Sequence, residues 1–232
     1  MEKVEYAKMN PNKNTTILVL NRFSRHQYSD LANQLMQSES VFAEQVGFVE
    51  NTSDPNALCR LYMMGGEFCA NATASLCAYQ AYQHNLRDGY VKYLQIEVSG
   101  ADDLLKCEVR RYGDAFRVQV SMPLPLYIRD ENLTFQGKRI EYGVVEYPGI
   151  CHAIIFDKVQ GEQSRMIAQH VVHKGLLDKQ YSAKGATLFS KNKQNILPLI
   201  YVETTDTEVW ESSCGSASAA LATYLAYKHT KN

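Results

Sequence analysis

The chain has 232 residues, 45% of them hydrophobic and 21% charged, a globular composition with room for one large domain or two small ones. Lys and Arg number 24 against 25 Asp and Glu, and the resulting charge of -1 gives no electrostatic handle for nucleic acid or an anionic membrane. A mean hydropathy of -0.31, no apolar run of bilayer length, and a start Met1-Glu2-Lys3-Val4-Glu5 without the apolar stretch of a secretory signal predict a cytoplasmic protein.

In chain order, residues 14–20 are β-branched and apolar and read as a strand. Residues 29–36 read as a helix that Ser29-Asp30 can cap, with Leu31, Leu35 and Met36 on one face. Strands are predicted over 45–50 and over 57–64, the latter ending at Gly65-Gly66. Residues 69–84, rich in Ala and Leu, form a good helix. Strand-like runs follow at 93–98, 104–110 and 115–122, and Pro123 and Pro125 begin a linker. Past it, strands are predicted at 139–146, 152–156, 186–190 and 197–202, with helices at 162–173 and 216–228. The fold class is therefore α+β, in two similar halves, 1–123 and 124–232, each mostly β with a central helix.

The two small-residue helices echo one another. Cys69-Ala-Asn-Ala-Thr-Ala-Ser-Leu-Cys-Ala-Tyr79 aligns with Cys214-Gly-Ser-Ala-Ser-Ala-Ala-Leu-Ala-Thr-Tyr224, and a Cys and a Tyr are among the shared positions. After the first helix come three strand-like runs. After Cys214 there is helix alone, so the second half is expected to be shortened at its C-terminus.

Six cysteines are present, with no CxxC pair and no zinc spacing. Cys59, Cys77, Cys107 and Cys151 read as buried small hydrophobes. Cys69 and Cys214 differ, because each precedes a first helical turn of small residues. Such a turn presents backbone N–H groups and the positive end of the helix dipole, which attract an anion and are expected to lower the thiol pKa. Two such sites, one per half, suit a single chemistry. One thiolate removes the α-proton of a gripped amino acid on one face, and the other thiol delivers a proton on the opposite face. Fixed N–H dipoles stabilise the charge that develops on the carboxylate, and the sulfurs titrate as a coupled pair. No cofactor and no metal are needed.

The strings Gly66-Glu67-Phe68-Cys69-Ala70-Asn71-Ala72-Thr73 and Glu211-Ser212-Ser213-Cys214-Gly215-Ser216-Ala217 resemble the two cysteine motifs of the diaminopimelate epimerase-like family of PLP-independent racemases and epimerases. Asn14 and Gln45 stand where that family has substrate-contacting residues. Within it, Ala32-Asn33-Gln34-Leu35-Met36, Glu44-Gln45-Val46-Gly47-Phe48, Pro198-Leu199-Ile200-Tyr201 and Trp210 to Ser216 resemble the histidine-racemase branch, which supplies D-histidine for opine metallophores. The resemblance implies two curved, mostly antiparallel sheets, each around a central helix, with the substrate between the halves. Cys69 and Cys214 are then the two bases, and the amides of Ala70, Asn71, Gly215 and Ser216 hold the α-carboxylate.

The departures narrow the substrate. Residues 202–213 hold no Lys or Arg, so the distal carboxylate of diaminopimelate would have no partner. An uncharged or cationic side chain fits better, and Glu44 either accepts from an imidazole or ammonium N–H or is a solvated residue before the strand. Glu211 binds substrate or caps the helix after Cys214, and His152 reads as a satisfied core residue. Tyr79, Tyr82, Tyr224 and Tyr227 fall at helical spacing and read as packing or as the face of a homodimer. The expected partner is a small amino acid, with histidine first, proline or diaminopimelate as alternative substrates, and a non-catalytic binding protein as the reading from another class.

Overall fold

The computed structural model describes residues 3–156, 161–174, 177 and 180–231. The chain divides into two compact units, Met1–Pro123 and Leu124–Asn232.

The first unit contains β1 (Tyr6–Met9), β2 (Thr16–Val19), α1 (Tyr28–Met36), β3 (Gln45–Glu50), β4 (Arg60–Met63), α2 (Ala70–Gln83), β5 (Val91–Val98), β6 (Leu105–Tyr112) and β7 (Ala115–Val120). Its seven strands lie side by side in chain order. Two neighbouring pairs are parallel, β2 with β3 and β4 with β5, and they are the pairs whose connections carry α1 and α2. The other pairs are antiparallel. Helix α2 touches β2, β3, β5, β6 and β7, so the sheet curves around it. A helix enclosed in this way needs small residues on several sides, which is why Ala72, Thr73, Ser75, Cys77, Ala78 and Ala81 are all buried. Leu76 anchors it in a core with Leu61, Met63, Ile96 and Val109.

The second unit contains β8 (Tyr127–Phe135), β9 (Lys138–Tyr147), β10 (Ile150–Phe156), α3 (Glu162–His173), β11 (Ala183–Ser190), β12 (Asn195–Val202), β13 (Thr207–Trp210) and α4 (Gly215–Lys231). The sheet order is β13-β12-β11-β10-β9-β8, with β10 and β11 parallel across α3 and the remaining pairs antiparallel. Cys151, Ala153 and Ile155 of β10 pack in one core with Ala168, Val171 and Val172 of α3. Ile150 and Ile154 pack in another with Ala220 and Tyr224 of α4. Strand β10 is thus covered on both faces, and its run from Ile150 to Ile155 is buried without alternation. Tyr224 belongs to this core and hydrogen-bonds Asp130. Its place at Gly143 is tight, because a Cβ there would come within 2.3 Å of the Tyr224 ring.

Three strands escape the sequence reading: β1, β8 and β13. Each is an edge strand. Edges carry polar side chains and lack the apolar run that marks an interior strand, and Tyr127–Phe135 holds Arg129, Asp130, Glu131 and Asn132. The segment after Pro123 is accordingly a short connection that leads into β8. The start of α1 also differs from expectation. Gln27 takes the cap position, while Ser29 and Asp30 sit inside the first turn. A single 3-10 turn over Arg25–Gln27 precedes the helix, and there Gln27 Oε1 accepts from the Ser24 amide (2.9 Å).

Candidate active site

Each unit presents its cysteine in the same local frame. Cys69 is the cap of α2, in extended conformation, and its Sγ accepts from the Ala72 amide (3.4 Å). Its carbonyl accepts from the Thr73 amide (3.0 Å) and the Thr73 hydroxyl (2.8 Å). Cys214 immediately precedes α4, and its sulfur is hydrogen-bonded by the Ala217 amide. Its carbonyl accepts from the Ser218 amide (3.1 Å) and the Ser218 hydroxyl (2.7 Å). The repeat seen in the sequence is thus a repeat in hydrogen bonding. Ala70 and Asn71 occupy the first two positions of α2, and Gly215 and Ser216 those of α4, where helix amides face outward to an anion.

Around Cys69 the first unit gathers Asn14, Glu44 and Gln45, three residues singled out from sequence. Cys69 Sγ donates to Gln45 Oε1 (3.0 Å). Gln45 Nε2 donates to Asn14 Oδ1 (2.5 Å) and to Thr16 Oγ1 (2.8 Å). Asn14 Nδ2 donates to Glu44 Oε2 (3.0 Å). The strand register explains the convergence, because Thr16 and Gln45 are partners across the parallel pair β2–β3. Burial raises the pKa of Glu44. The turn before Cys69 has its own supports. Glu67 Oε2 accepts from the Gly65 amide (2.9 Å), and Ser99 Oγ donates to the Glu67 carbonyl (2.9 Å). Gly100 sits at φ +68° with its Cα against this turn, where a Cβ would lie 2.3 Å from the Phe68 nitrogen, so only glycine fits. Glu67 is buried, which pushes its carboxyl up to about 7.

Around Cys214 the partners differ. Ser216 Oγ lies 3.4 Å from Cys214 Sγ, and His152 Nε2 lies 3.0 Å from Ser216 Oγ. Glu211 is hydrogen-bonded to the Cys214 thiol. The helix field was expected to depress both thiol pKa values, and for Cys214 the outcome is the reverse. Burial raises it well above the ordinary thiol range, and the Glu211 carboxylate adds to this, outweighing the Ser216 hydroxyl and the Ala217 amide. Glu211 therefore acts on the thiol itself, a role the sequence reading did not weigh. His152 is fully buried, and burial holds it neutral, with a pKa lowered to about 4. It is not the fully satisfied core residue expected, because Nδ1 has no hydrogen-bond partner among the described residues. A neutral ring in this setting carries its proton on Nε2, since a bare acceptor is cheaper to bury than a bare donor. His152 then donates to Ser216, whose own proton is left to point at Cys214.

Sequence reading missed Thr16, Glu67 and the part played by His152. For Thr16 the signal would have been the β2–β3 pairing, which a single sequence does not display. Cys59, Cys77, Cys107 and Cys151 are buried as expected. Cys77 and Cys107 hydrogen-bond each other inside the first core. Among the described residues, no group of three or more His, Cys, Asp or Glu is arranged to hold a metal ion, and no helix is long and apolar enough to cross a membrane.

Two α+β units, each with a sheet around a helix, are a fold shared with solved racemase and epimerase structures. In fold the chain is similar to the crystal structure of a probable proline racemase from Agrobacterium radiobacter K84, with a TM-score of 0.71, 11% identity, and coverage of 99% of this chain and 78% of that one. Sequence similarity is more specific. Residues 3–232 match the family described as the Histidine racemase CntK N-terminal domain. The chain is 33% identical over 232 residues to a histidine racemase of Staphylococcus aureus (strain Mu50 / ATCC 700699), covering 97% of this chain and 81% of the relative. It is 30% identical over 227 residues to a histidine racemase of Fusobacterium nucleatum subsp. nucleatum (strain ATCC 23726 / VPI 4351), covering 97% and 82%. The chain belongs to the histidine racemase family.

Proposed function

We propose that this chain is a cofactor-independent histidine racemase in which Cys69 and Cys214 are the two bases. One thiolate removes the α-proton from one face of histidine while the other thiol protonates the opposite face, and the roles exchange with the handedness of the substrate. The amides of Ala70, Asn71, Gly215 and Ser216 hold the α-carboxylate and stabilise its enediolate character as the proton leaves. Glu44 accepts from the imidazole or ammonium N–H. The duplicated frame carries this reading: in both units an amide three residues on bonds the sulfur, and an amide and hydroxyl four residues on bond the cysteine carbonyl. Duplication at that level of detail favours two equivalent acid–base groups over a single nucleophile. The proposal extends to a cytoplasmic homodimer that supplies D-histidine for an opine metallophore, on the strength of the resemblance and of the balanced charge of -1.

The test is exchange of the α-proton in D₂O without added cofactor. Wild type is expected to place deuterium at Cα of histidine and to racemise it. Cys69→Ser and Cys214→Ser should each slow racemisation by about 10²–10⁴-fold, the size of one lost acid–base group. Undiminished racemisation by either variant refutes the two-base assignment.

A further inference from the structure

The hydrogen-bond chain behind Cys69 has a direction. Glu44 ends it with a carboxylate, which can only accept, so Asn14 must turn its Nδ2 toward Glu44 (3.0 Å) and its Oδ1 toward Gln45. Asn14 Oδ1 can only accept, so Gln45 must present Nε2 to it (2.5 Å). Thr16 reinforces this. Its hydroxyl donates to the Asn14 carbonyl (3.4 Å) and keeps a lone pair for the second Gln45 Nε2 proton (2.8 Å). Both amide protons of Gln45 are then engaged, and its Oε1 is the atom left facing Cys69 Sγ, at 3.0 Å. Turning the Gln45 amide over would set Oε1 against the acceptor Asn14 Oδ1, and would take the Thr16 hydroxyl proton from the Asn14 carbonyl, inside a fully buried cluster of Asn14 and Thr16, each 0% exposed. An oxygen facing the sulfur stabilises the thiol and repels the thiolate. One opposing influence on the sulfur is the Ala72 amide (3.4 Å), a longer bond.

We propose that Glu44, Asn14, Thr16 and Gln45 form a one-way relay that keeps the proton on Cys69 between turnovers. Asn14, Thr16 and Gln45 are then positioning residues, in addition to any contact with substrate. The consequence for turnover rests on the two-base reading: the enzyme starts with Cys69 as proton donor, and the enantiomer that needs Cys69 as base must first displace the thiol proton from Gln45.

The pH dependence of Cys69 alkylation tests this without requiring activity. The protein is treated with iodoacetamide across a pH series, and the Cys69 peptide is quantified by mass spectrometry. Glu44→Gln keeps the size but adds an NH₂ that can donate to Asn14 Oδ1, so both amides can turn over and offer Gln45 N–H to the sulfur. The alkylation midpoint should fall by about one pH unit, giving a roughly tenfold faster reaction below the midpoint. Thr16→Val removes the second acceptor without changing any charge and should shift the midpoint the same way by a smaller amount, whereas Thr16→Ser should match wild type. A shift in Glu44→Gln with none in Thr16→Val would mean that charge alone acts, and would overturn the relay. No shift in either variant overturns it equally. A shift in Thr16→Ser as large as in Thr16→Val would reduce the effect to packing and overturn the relay as well. α-Deuterium exchange by the wild-type protein judges the racemase reading separately, since the alkylation profile stands whether or not histidine turns over.

Discussion

The two cysteine ends are built on one frame and wired through different side chains: in each, an oxygen acceptor faces the thiol, but it is an amide at one end and a carboxylate at the other. In the first unit a side chain from β3, Gln45, turns an oxygen to the sulfur and accepts its proton in a hydrogen bond. In the second unit the matching parallel pair, β10–β11, sends His152 across Gly185 to a serine hydroxyl beside the sulfur, while the Glu211 carboxylate takes the thiol's hydrogen bond. The frame comes from the backbone: a helix start, its amides and the residue four positions on. Duplication preserves it because small residues are required wherever a helix is enclosed by a sheet. The wiring comes from side chains on strands, which packing leaves freer to vary. Under the two-base proposal, a pair of acid–base groups that exchange roles requires the shared frame. A substrate with two distinguishable faces tolerates different wiring.

The largest effect that separates the two ends is a stability difference with pH. His152 is held neutral, with its folded pKa lowered from 6.5 to about 4, so the unfolded chain binds the proton first as pH falls. Its contribution to stability is present above about 6.5 and is lost between 6.5 and 4. Glu67 behaves oppositely, with a folded pKa raised from 4.5 to about 7, so the folded chain holds its proton longer. Its contribution is present below 4.5 and is lost as pH rises from 4.5 to 7. Each amounts to about 3 kcal/mol at most, from 1.4 kcal/mol per unit, so the two slopes nearly cancel in wild type. Subtracting wild type exposes them. Denaturant unfolding of His152→Gln should show a relative gain in stability toward pH 4.5, and Glu67→Gln a relative gain toward pH 7. Parallel slopes in the two difference curves would mean that the two ends do not differ in this way.

Next in size is a substitution that the two sheets should tolerate differently. Gly185 yields its side-chain space to His152, and a Cβ there would meet Nδ1 at 2.1 Å and Cε1 at 2.5 Å. The ring is enclosed and hydrogen-bonded, so it has nowhere to go. Gly47 in β3 is also crowded, but its neighbours are Leu61 Cδ1 at 2.7 Å and Met63 Sδ at 3.2 Å, the ends of flexible side chains. Gly185→Ala is expected to cost about 2 kcal/mol and to displace His152 from Ser216, whereas Gly47→Ala should cost about 1 kcal/mol or less. Urea unfolding measures both. Equal losses would remove the special fit assigned to Gly185.

What could be read from the sequence follows the same division. The interior strands, the helices α2, α3 and α4, and both cysteine motifs were legible because burial writes an apolar run or a small-residue pattern, and because the pattern occurs twice. The edge strands β1, β8 and β13 were not, since an edge such as Tyr127–Phe135 carries the polar residues of a connection. Asn14, Glu44 and Gln45 were found through resemblance, but their joining into one chain depends on the pairing of Thr16 with Gln45, a long-range register with no local signature. His152 reads as a core residue from its apolar surroundings, Ile150-Cys151 before and Ala153-Ile154-Ile155 after. Only the tertiary placement of Ser216 reveals that one of its nitrogens reaches the site. The thiol of Cys214 shows the limit of local reasoning most clearly. A helix start alone argues for a lowered pKa, and burial beside Glu211, which sequence spacing does not reveal, reverses the sign.

The smallest effect probes the shared frame itself. Thr73 and Ser218 each donate a hydroxyl proton to the carbonyl of their cysteine, at 2.8 and 2.7 Å, so the bonds are matched in geometry. Their surroundings are not matched: Thr73 is buried and Ser218 is exposed. Water can replace the Ser218 hydroxyl, so Ser218→Ala should cost less than about 0.5 kcal/mol. Thr73→Ala removes the hydroxyl and a packed methyl from the enclosed face of α2, where no water replaces them, and should cost about 1–2 kcal/mol. Thr73→Ser should recover the part due to the hydroxyl, leaving only the methyl. If Thr73→Ser is as unstable as Thr73→Ala, the bond to the Cys69 carbonyl contributes nothing and only packing is conserved between the helix starts. If it recovers about half of the loss, the duplicated frame is energetic as well as geometric, and the different tolerance of the two ends comes from the depth at which each helix starts.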